Sequence, residues 1–181
     1  MADIDGDKDV DLILANRDGG QNYIYLNNGQ LDFSEKIPFG TGSDETRSVA
    51  IADMNADGFP DIITANIGEP NYLYLNVGQL DFSQQIQFDT SHNRSYALTT
   101  CDLDLDGDFD IIIGNTRAPN AVFFNTQKGT EWTPMLLGSN KFSTYDILAK
   151  DINGDNRPDI LEANSDEWNY YYFNRRGKGG E

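Results

Sequence analysis

Apolar and polar positions alternate with a period of two in short runs along the whole chain, and no stretch sustains a helical period. The clearest set lies in SVAIADMN from Ser48, DIITAN from Asp61, NYLYLN from Asn71 and DFSQQIQF from Asp81. β-Branched and aromatic residues fill these runs, as half-buried or buried strands require, and Gly68, Pro70 and Gly78 supply turns between them. The pattern predicts four short strands in succession.

This set recurs along the chain. Its Asp-rich segment appears as ADIDGDKDVDLILAN from Ala2, ADMNADGFPDIITAN from Ala52, CDLDLDGDFDIIIGN from Cys101 and KDINGDNRPDILEAN from Lys150. The first Asp residues are Asp3, Asp53, Asp102 and Asp151, giving spacings of 50, 49 and 49. A third-strand motif keeps the same phase, as NYIYLN from Asn22, NYLYLN from Asn71, NAVFFN from Asn120 and NYYYFN from Asn169. A period near 50 with strand-like content points to propeller blades rather than a helical solenoid. One small sheet cannot bury both faces alone, so the units must stack, and radial stacking makes a propeller.

The expected fold is therefore all-β, a single β-propeller over residues 1–174 made of blades of four antiparallel strands. About four blades are expected, in repeats near 1–47, 48–94, 95–142 and 143–174, followed by a polar, flexible tail at 175–181. The chain is out of phase with its repeat, because four periods would need about 196 residues against the 181 present. A partial ring, or a homo-oligomer completing the propeller, is the expectation; a closed four-bladed ring would leave sheet edges unpaired.

Numbered from its first Asp, each Asp-rich segment reads D-x-[DN]-x-D-x-x-x-D, with oxygen-bearing side chains at positions 1, 3, 5 and 9. These are Asp3, Asp5, Asp7 and Asp11; Asp53, Asn55, Asp57 and Asp61; Asp102, Asp104, Asp106 and Asp110; and Asp151, Asn153, Asp155 and Asp159. The main-chain carbonyl at position 7 (Asp9, Phe59, Asp108, Arg157) can join them. Alternate residues of a tight loop converge on one point, and the result is the hard-oxygen cage that Ca²⁺ prefers. Crowded carboxylates repel unless a cation neutralises them. Magnesium wants strict octahedral geometry and keeps its water, while zinc and copper lack His or thiolate ligands here.

An Asp-rich turn can be only a turn, but four at a near-constant period argue for sites. They are not EF-hands: position 12 is Leu14, Thr64, Ile113 or Glu162, and no flanking helices are expected. Position 6 favours a left-handed residue, which Gly58, Gly107 and Asn156 supply easily and Lys8 does not. The second and fourth loops, with three carboxylates and an Asn, are expected to bind more weakly than the third.

The loop, the D-[LI]-[IL]-x-[AG]-N strand after it and the NYLYLN strand together resemble the FG-GAP/VCBS repeats, best known from the integrin α-subunit propeller and related bacterial surface proteins. The resemblance covers nearly the whole chain. It implies that each calcium loop joins the innermost strand of a blade to the next strand, on one face of the propeller. Integrin-type propellers usually have seven blades, so four again imply an incomplete ring or an assembly. AN or GN stands where the GAP tripeptide would fall, which favours the VCBS-like bacterial branch.

Thirty acidic residues against thirteen basic ones give a charge of −17, which repels phosphate backbones and excludes nucleic acid as a natural partner. No apolar run approaches the roughly 20 residues of a membrane span. Any export signal is expected to lie outside this stretch. Cys101, the one cysteine, aligns with Ala2, Ala52 and Lys150 and reads as a packing residue; His92 reads as a solvated loop residue. No nucleophile elbow or phosphate loop is found, and the clustered Asp residues already have a metal role, so no enzyme is expected. The third-strand tyrosines suit packing between blades, with sugar stacking as the sharper alternative. Asn16, Asn66, Asn115 and Asn164 are expected to tie turns. The function expected is a calcium-binding, non-catalytic adhesion scaffold for protein or carbohydrate, extracellular or at the cell surface, since sites of this kind fill at about 10⁻⁴–10⁻³ M calcium. The alternative is an accessory region of a larger secreted enzyme.

Overall fold

A computed structural model describes residues 1–175, so most of the expected tail lies outside the described residues. The described chain is all-β, with a large, curled, open antiparallel sheet and two smaller sheets. The first repeat forms β1 (Leu12–Leu14), β2 (Asn22–Tyr25) and β3 (Lys36–Phe39), paired in that order. The second forms β4 (Thr46–Ala52), β5 (Asp61–Asn66), β6 (Asn71–Leu75) and β7 (Gln84–Asp89), a four-stranded antiparallel meander. The third contributes β8 (Arg94–Cys101), β9 (Asp110–Thr116), β10 (Asn120–Asn125) and β11 (Trp132–Leu137), and the fourth β12 (Ser143–Lys150), β13 (Asp159–Ser165) and β14 (Tyr170–Tyr172). These last seven strands make one sheet, whose two halves meet at the pair Ser143 and Thr116.

The run from Asp81 starts later than its sequence pattern suggests. Asp81 Oδ1 accepts from the Ser83 N–H at 2.9 Å, a local turn that outcompetes the ladder, and the strand begins at Gln84.

Each sheet presents a leading face to the preceding unit and a trailing face to the following one. Ile4, Ile13 and Ile24 on the first trailing face pack with Ile62 and Tyr74 on the second leading face. Ile63, Leu73 and Leu75 then meet Ile111, Ile113 and Phe123, and Ile112 and Val122 meet Ile147 and Ile160. The strands between two neighbours, β5 and β9, are buried on both faces, whereas the end strands β1 and β13 are not. Each fully buried Ile contributes about 1.5–3 kcal/mol, so stacking carries most of the stability.

Polar ties follow the same period. The first residue of the third strand, Asn22, Asn71 or Asn120, accepts at Oδ1 from the N–H of Asn16, Asn66 or Asn115 at 2.7 Å in each case. Its Nδ2 donates to a hydroxyl of the following unit: Thr46 at 2.9 Å, Ser95 at 3.0 Å and Thr144 at 2.8 Å. The expected turn-tying asparagines do tie turns, with Nδ2 donating to the carbonyls of Pro70 at 2.7 Å, Pro119 at 2.8 Å and Trp168 at 2.8 Å.

Left-handed backbone occurs at position 6 of every Asp loop and also at position 4, where Ala56 and Leu105 carry φ of 59° and 68°. Lys8 adopts φ 80° like its counterparts, despite its side chain. A Cβ on Gly107, at φ 101°, would meet nothing within 4 Å, so substitution there costs backbone strain alone. Gly107→Ala is expected to destabilise by about 1–2 kcal/mol in urea unfolding.

Candidate metal centre

Four loops are built on one plan. The position 1 carboxylate accepts from the position 6 N–H: Asp3 from Lys8 at 3.0 Å, Asp53 from Gly58 at 2.8 Å, Asp102 from Gly107 at 3.1 Å and Asp151 from Asn156 at 2.8 Å. Position 3 accepts at Oδ1 from the position 5 N–H, at 3.1 Å for Asp5, 3.0 Å for Asn55, 3.2 Å for Asp104 and 2.9 Å for Asn153. Position 5 accepts in turn from the position 7 N–H, at 2.8 Å for Asp7 and Asp57, 2.9 Å for Asp106 and 3.0 Å for Asp155. One oxygen at position 5 is thus held by backbone in all four loops. In the second loop the other is also engaged, Asp57 Oδ2 accepting from Asn55 Nδ2 at 2.9 Å.

Two sets of carboxylates converge within 4.8 Å of one another: Asp3, Asp5 and Asp11 in the first loop, and Asp102, Asp104 and Asp106 in the third. These two clusters can coordinate a divalent metal ion. The second and fourth loops each replace one carboxylate with Asn55 or Asn153. At position 7, where the carbonyl is the expected ligand, the side chains leave the loop: Phe59 lies over Gly78 and Asp9 against Gly29, while Arg157 lines a groove between the third and fourth units.

Position 9 has a further role that the spacing did not reveal. Asp11, Asp61, Asp110 and Asp159 each accept two backbone N–H groups, one from position 2 of the same loop and one from the end of the third strand. For Asp110 these donors are Leu103 at 2.8 Å and Asn125 at 2.9 Å. Position 9 therefore clasps the loop to its own sheet. Asn125 Nδ2 then reaches across the junction to the Met54 carbonyl at 2.8 Å, and Asn174 Nδ2 bonds Leu103 O in the same way.

The FG-GAP-like repeat matches residues 3–64, 53–113 and 102–162, three overlapping windows that each hold two successive Asp loops. The chain belongs to the FG-GAP-like repeat family. That membership, in a structural repeat rather than a catalytic family, goes with a non-enzymatic role. No curated protein matches the chain. This FG-GAP-like fold is similar to a chain in the crystal structure of BBS1N in complex with ARL6DN soaked with lead, with TM-score 0.63 and 13% identity over 94% of this chain and 52% of that one. The mercury-soaked counterpart gives 0.65 at 13% identity over 96% and 52%. The FG-GAP-like chain thus spans about half the length of these solved chains.

Electrostatics in the FG-GAP-like loops favours a cation. Burial raises the Asp5 carboxyl above the ordinary range, and the charges of Asp11, Asp7 and Asp3 add to it. Asp104 is raised by burial and by Asp106. Burial lifts the two position 9 carboxyls furthest, Asp61 and Asp110 each to about 6, against the lowering effect of their backbone donors. Desolvation also pushes the Cys101 thiol to about 12, which fits packing rather than reactivity, and His92 is exposed.

Three side chains escaped the pattern. β-Bulges fall between Thr46 and Ser48, Ser95 and Ala97, and Thr144 and Asp146, and they re-aim Arg47, Tyr96 and Tyr145 at equivalent points of three successive units. Tyr96 meets Tyr145 edge-on at 5.2 Å, and the Arg47 and Arg94 guanidiniums lie 5.7 and 6.0 Å from the Tyr96 ring centre. A bulge depends on the partner strand, so no single-strand period marks it. Glu162, at position 12, is buried, with Oε1 unpaired.

Proposed function

We propose that this chain is a run of four propeller blades, stiffened by Ca²⁺ in its Asp loops, that acts as a non-catalytic binding scaffold for a protein ligand on an exported protein. The observation that carries the reading is the convergence of three carboxylates in each of the first and third loops, with backbone donors holding position 5. Oxygen-only donors on a flexible loop suit calcium over magnesium, zinc or copper. Asp3, Asp5, Asp7 and Asp11, with their equivalents in the other loops and the position 7 carbonyls, would hold the ions. Millimolar external calcium would fill such loops, which is the reason for placing the protein outside the cell or on its surface.

A protein ligand is favoured over carbohydrate by the bulge-aligned cluster of Arg47, Arg94, Tyr96 and Tyr145, since Arg and Tyr are enriched where proteins bind one another. The similarity to a chain solved in a protein complex agrees with this choice. Isothermal titration with CaCl₂ should show more than one calcium per chain, with at least one site lost in Asp104→Ala/Asp106→Ala. A flat titration of the wild-type chain would end the calcium reading.

A further inference from the structure

Position 3 of the fourth loop is Asn153, and the residue after it is Gly154. Gly154 carries no side chain to obstruct its backbone nitrogen, and that N–H donates to Asp151 Oδ1 at 2.7 Å. Asn153 Oδ1 accepts from the Asp155 N–H at 2.9 Å, a donor placed where negative charge gathers when the neighbouring nitrogen attacks the amide carbon. A proton acceptor, a nucleophile and an oxyanion donor thus surround one side-chain amide. Asn153 is exposed, so water reaches it. Asp5 and Asp104, at the same position of loops that pack into internal junctions through Ile4 and Leu103, are exposed too, which makes access a property of the loop and not of the chain's end.

Two other asparagines lack part of this arrangement. Asn28 is exposed, precedes Gly29 and accepts at Oδ1 from the Gln30 N–H at 3.0 Å, but the Gly29 N–H donates to the neutral Asn27 amide oxygen at 3.2 Å. Asn55, at position 3 of the second loop, precedes Ala56, and Asp53 accepts from the N–H groups of Asp57 and Gly58 instead of Ala56. Of the three, Asn153 alone combines the glycine with the carboxylate.

We infer that Asn153 is a site of self-modification, where the backbone nitrogen of Gly154 displaces the side-chain amide and a carboxylate takes its place. Gly154 N bonds to Asn153 Cγ as the Cγ–Nδ2 bond breaks, and the Gly154 amide proton passes by way of Asp151 Oδ1 to the departing nitrogen, which leaves as ammonia. Water then opens the five-membered imide, at Cγ to give Asp or at the main-chain carbonyl to give isoaspartate. No oxidant or cofactor enters. Conversion to Asp gives the fourth loop carboxylates at positions 1, 3, 5 and 9, as in the first and third. On the calcium reading a fuller site follows, but the chemistry itself needs no ion.

Peptide mapping by mass spectrometry tests this on the full-length chain, aged in EDTA at mildly alkaline pH below its melting temperature, with the amide-to-acid mass gain followed at Asn153 and Asn28. Conversion at Asn153 should run at least about tenfold faster than at Asn28, a modest share of what a positioned proton acceptor contributes. In urea, where the loop is lost, the two rates should converge. Asp151→Asn keeps the side chain's shape and should slow Asn153 to about the Asn28 rate. If that variant fails to fold, the wild type in native buffer against urea decides alone. Equal rates at the two asparagines in the folded chain, an Asn153 rate unchanged by urea, or one that Asp151→Asn does not lower would each overturn the assignment. Since every rate is read in EDTA, the result does not depend on whether the loops hold calcium.

Discussion

Excess EDTA should lower the melting temperature of this chain by about 10 °C or more relative to millimolar CaCl₂. An ion that binds the folded loop and not the unfolded chain stabilises by about 2.7 kcal/mol at a hundredfold excess over its dissociation constant. The two carboxylate clusters alone would then contribute about 5 kcal/mol, and 1 kcal/mol moves the melting point of a chain this size by about 2–4 °C. The sign follows from the loops, where burial and mutual repulsion already push Asp5 and Asp104 toward their neutral forms. A divalent ion removes that repulsion and chelation restores it. Differential scanning calorimetry at pH 7.5 measures the shift, and superimposable melts would show that the loops hold no ion.

Asp110→Ala should destabilise the chain by about 4 kcal/mol, in EDTA as well as in calcium. The carboxylate is fully buried and accepts from the N–H groups of Leu103 and Asn125; removing it leaves two buried donors unpaired, at about 1–3 kcal/mol each. The comparison with Asp104→Ala is decisive. Asp104 is largely open to solvent, only partly desolvated within its loop, and accepts only from its neighbour Asp106, so its loss should lower stability in calcium and leave the EDTA melt unchanged or slightly raised as repulsion is relieved. Urea unfolding of both variants with and without chelator separates a clasp from a ligand. Equal losses for the two in EDTA would show that position 9 has no structural role of its own.

Much of this protein is local and repetitive, and that part was legible before any coordinates. Short runs rich in β-branched and aromatic residues placed β5, β6, β9 and β10 closely, because these strands are buried on both faces or nearly so and take apolar residues at successive positions. The crowding of acid was legible in the first and third Asp loops, where Asp3, Asp5 and Asp11, and Asp102, Asp104 and Asp106, lie close together, because alternate side chains of a tight turn share a side. Reading failed where a local turn overrode the preference of the strand run or of a single residue. The start of β7 was displaced by the Asp81 turn, and Lys8 was bent to the loop's needs against its own preference.

The sequence by itself determined the unit, its strands and the crowding of acid in each loop, since all three arise from residues within one period. Only the tertiary structure decided that position 9 clasps loop to sheet and that bulges gather Arg47, Tyr96 and Tyr145 into one cluster. Each of these depends on how one unit lies against another. Packing between units joins residues a whole period apart, and no rule of spacing within a strand contains that information.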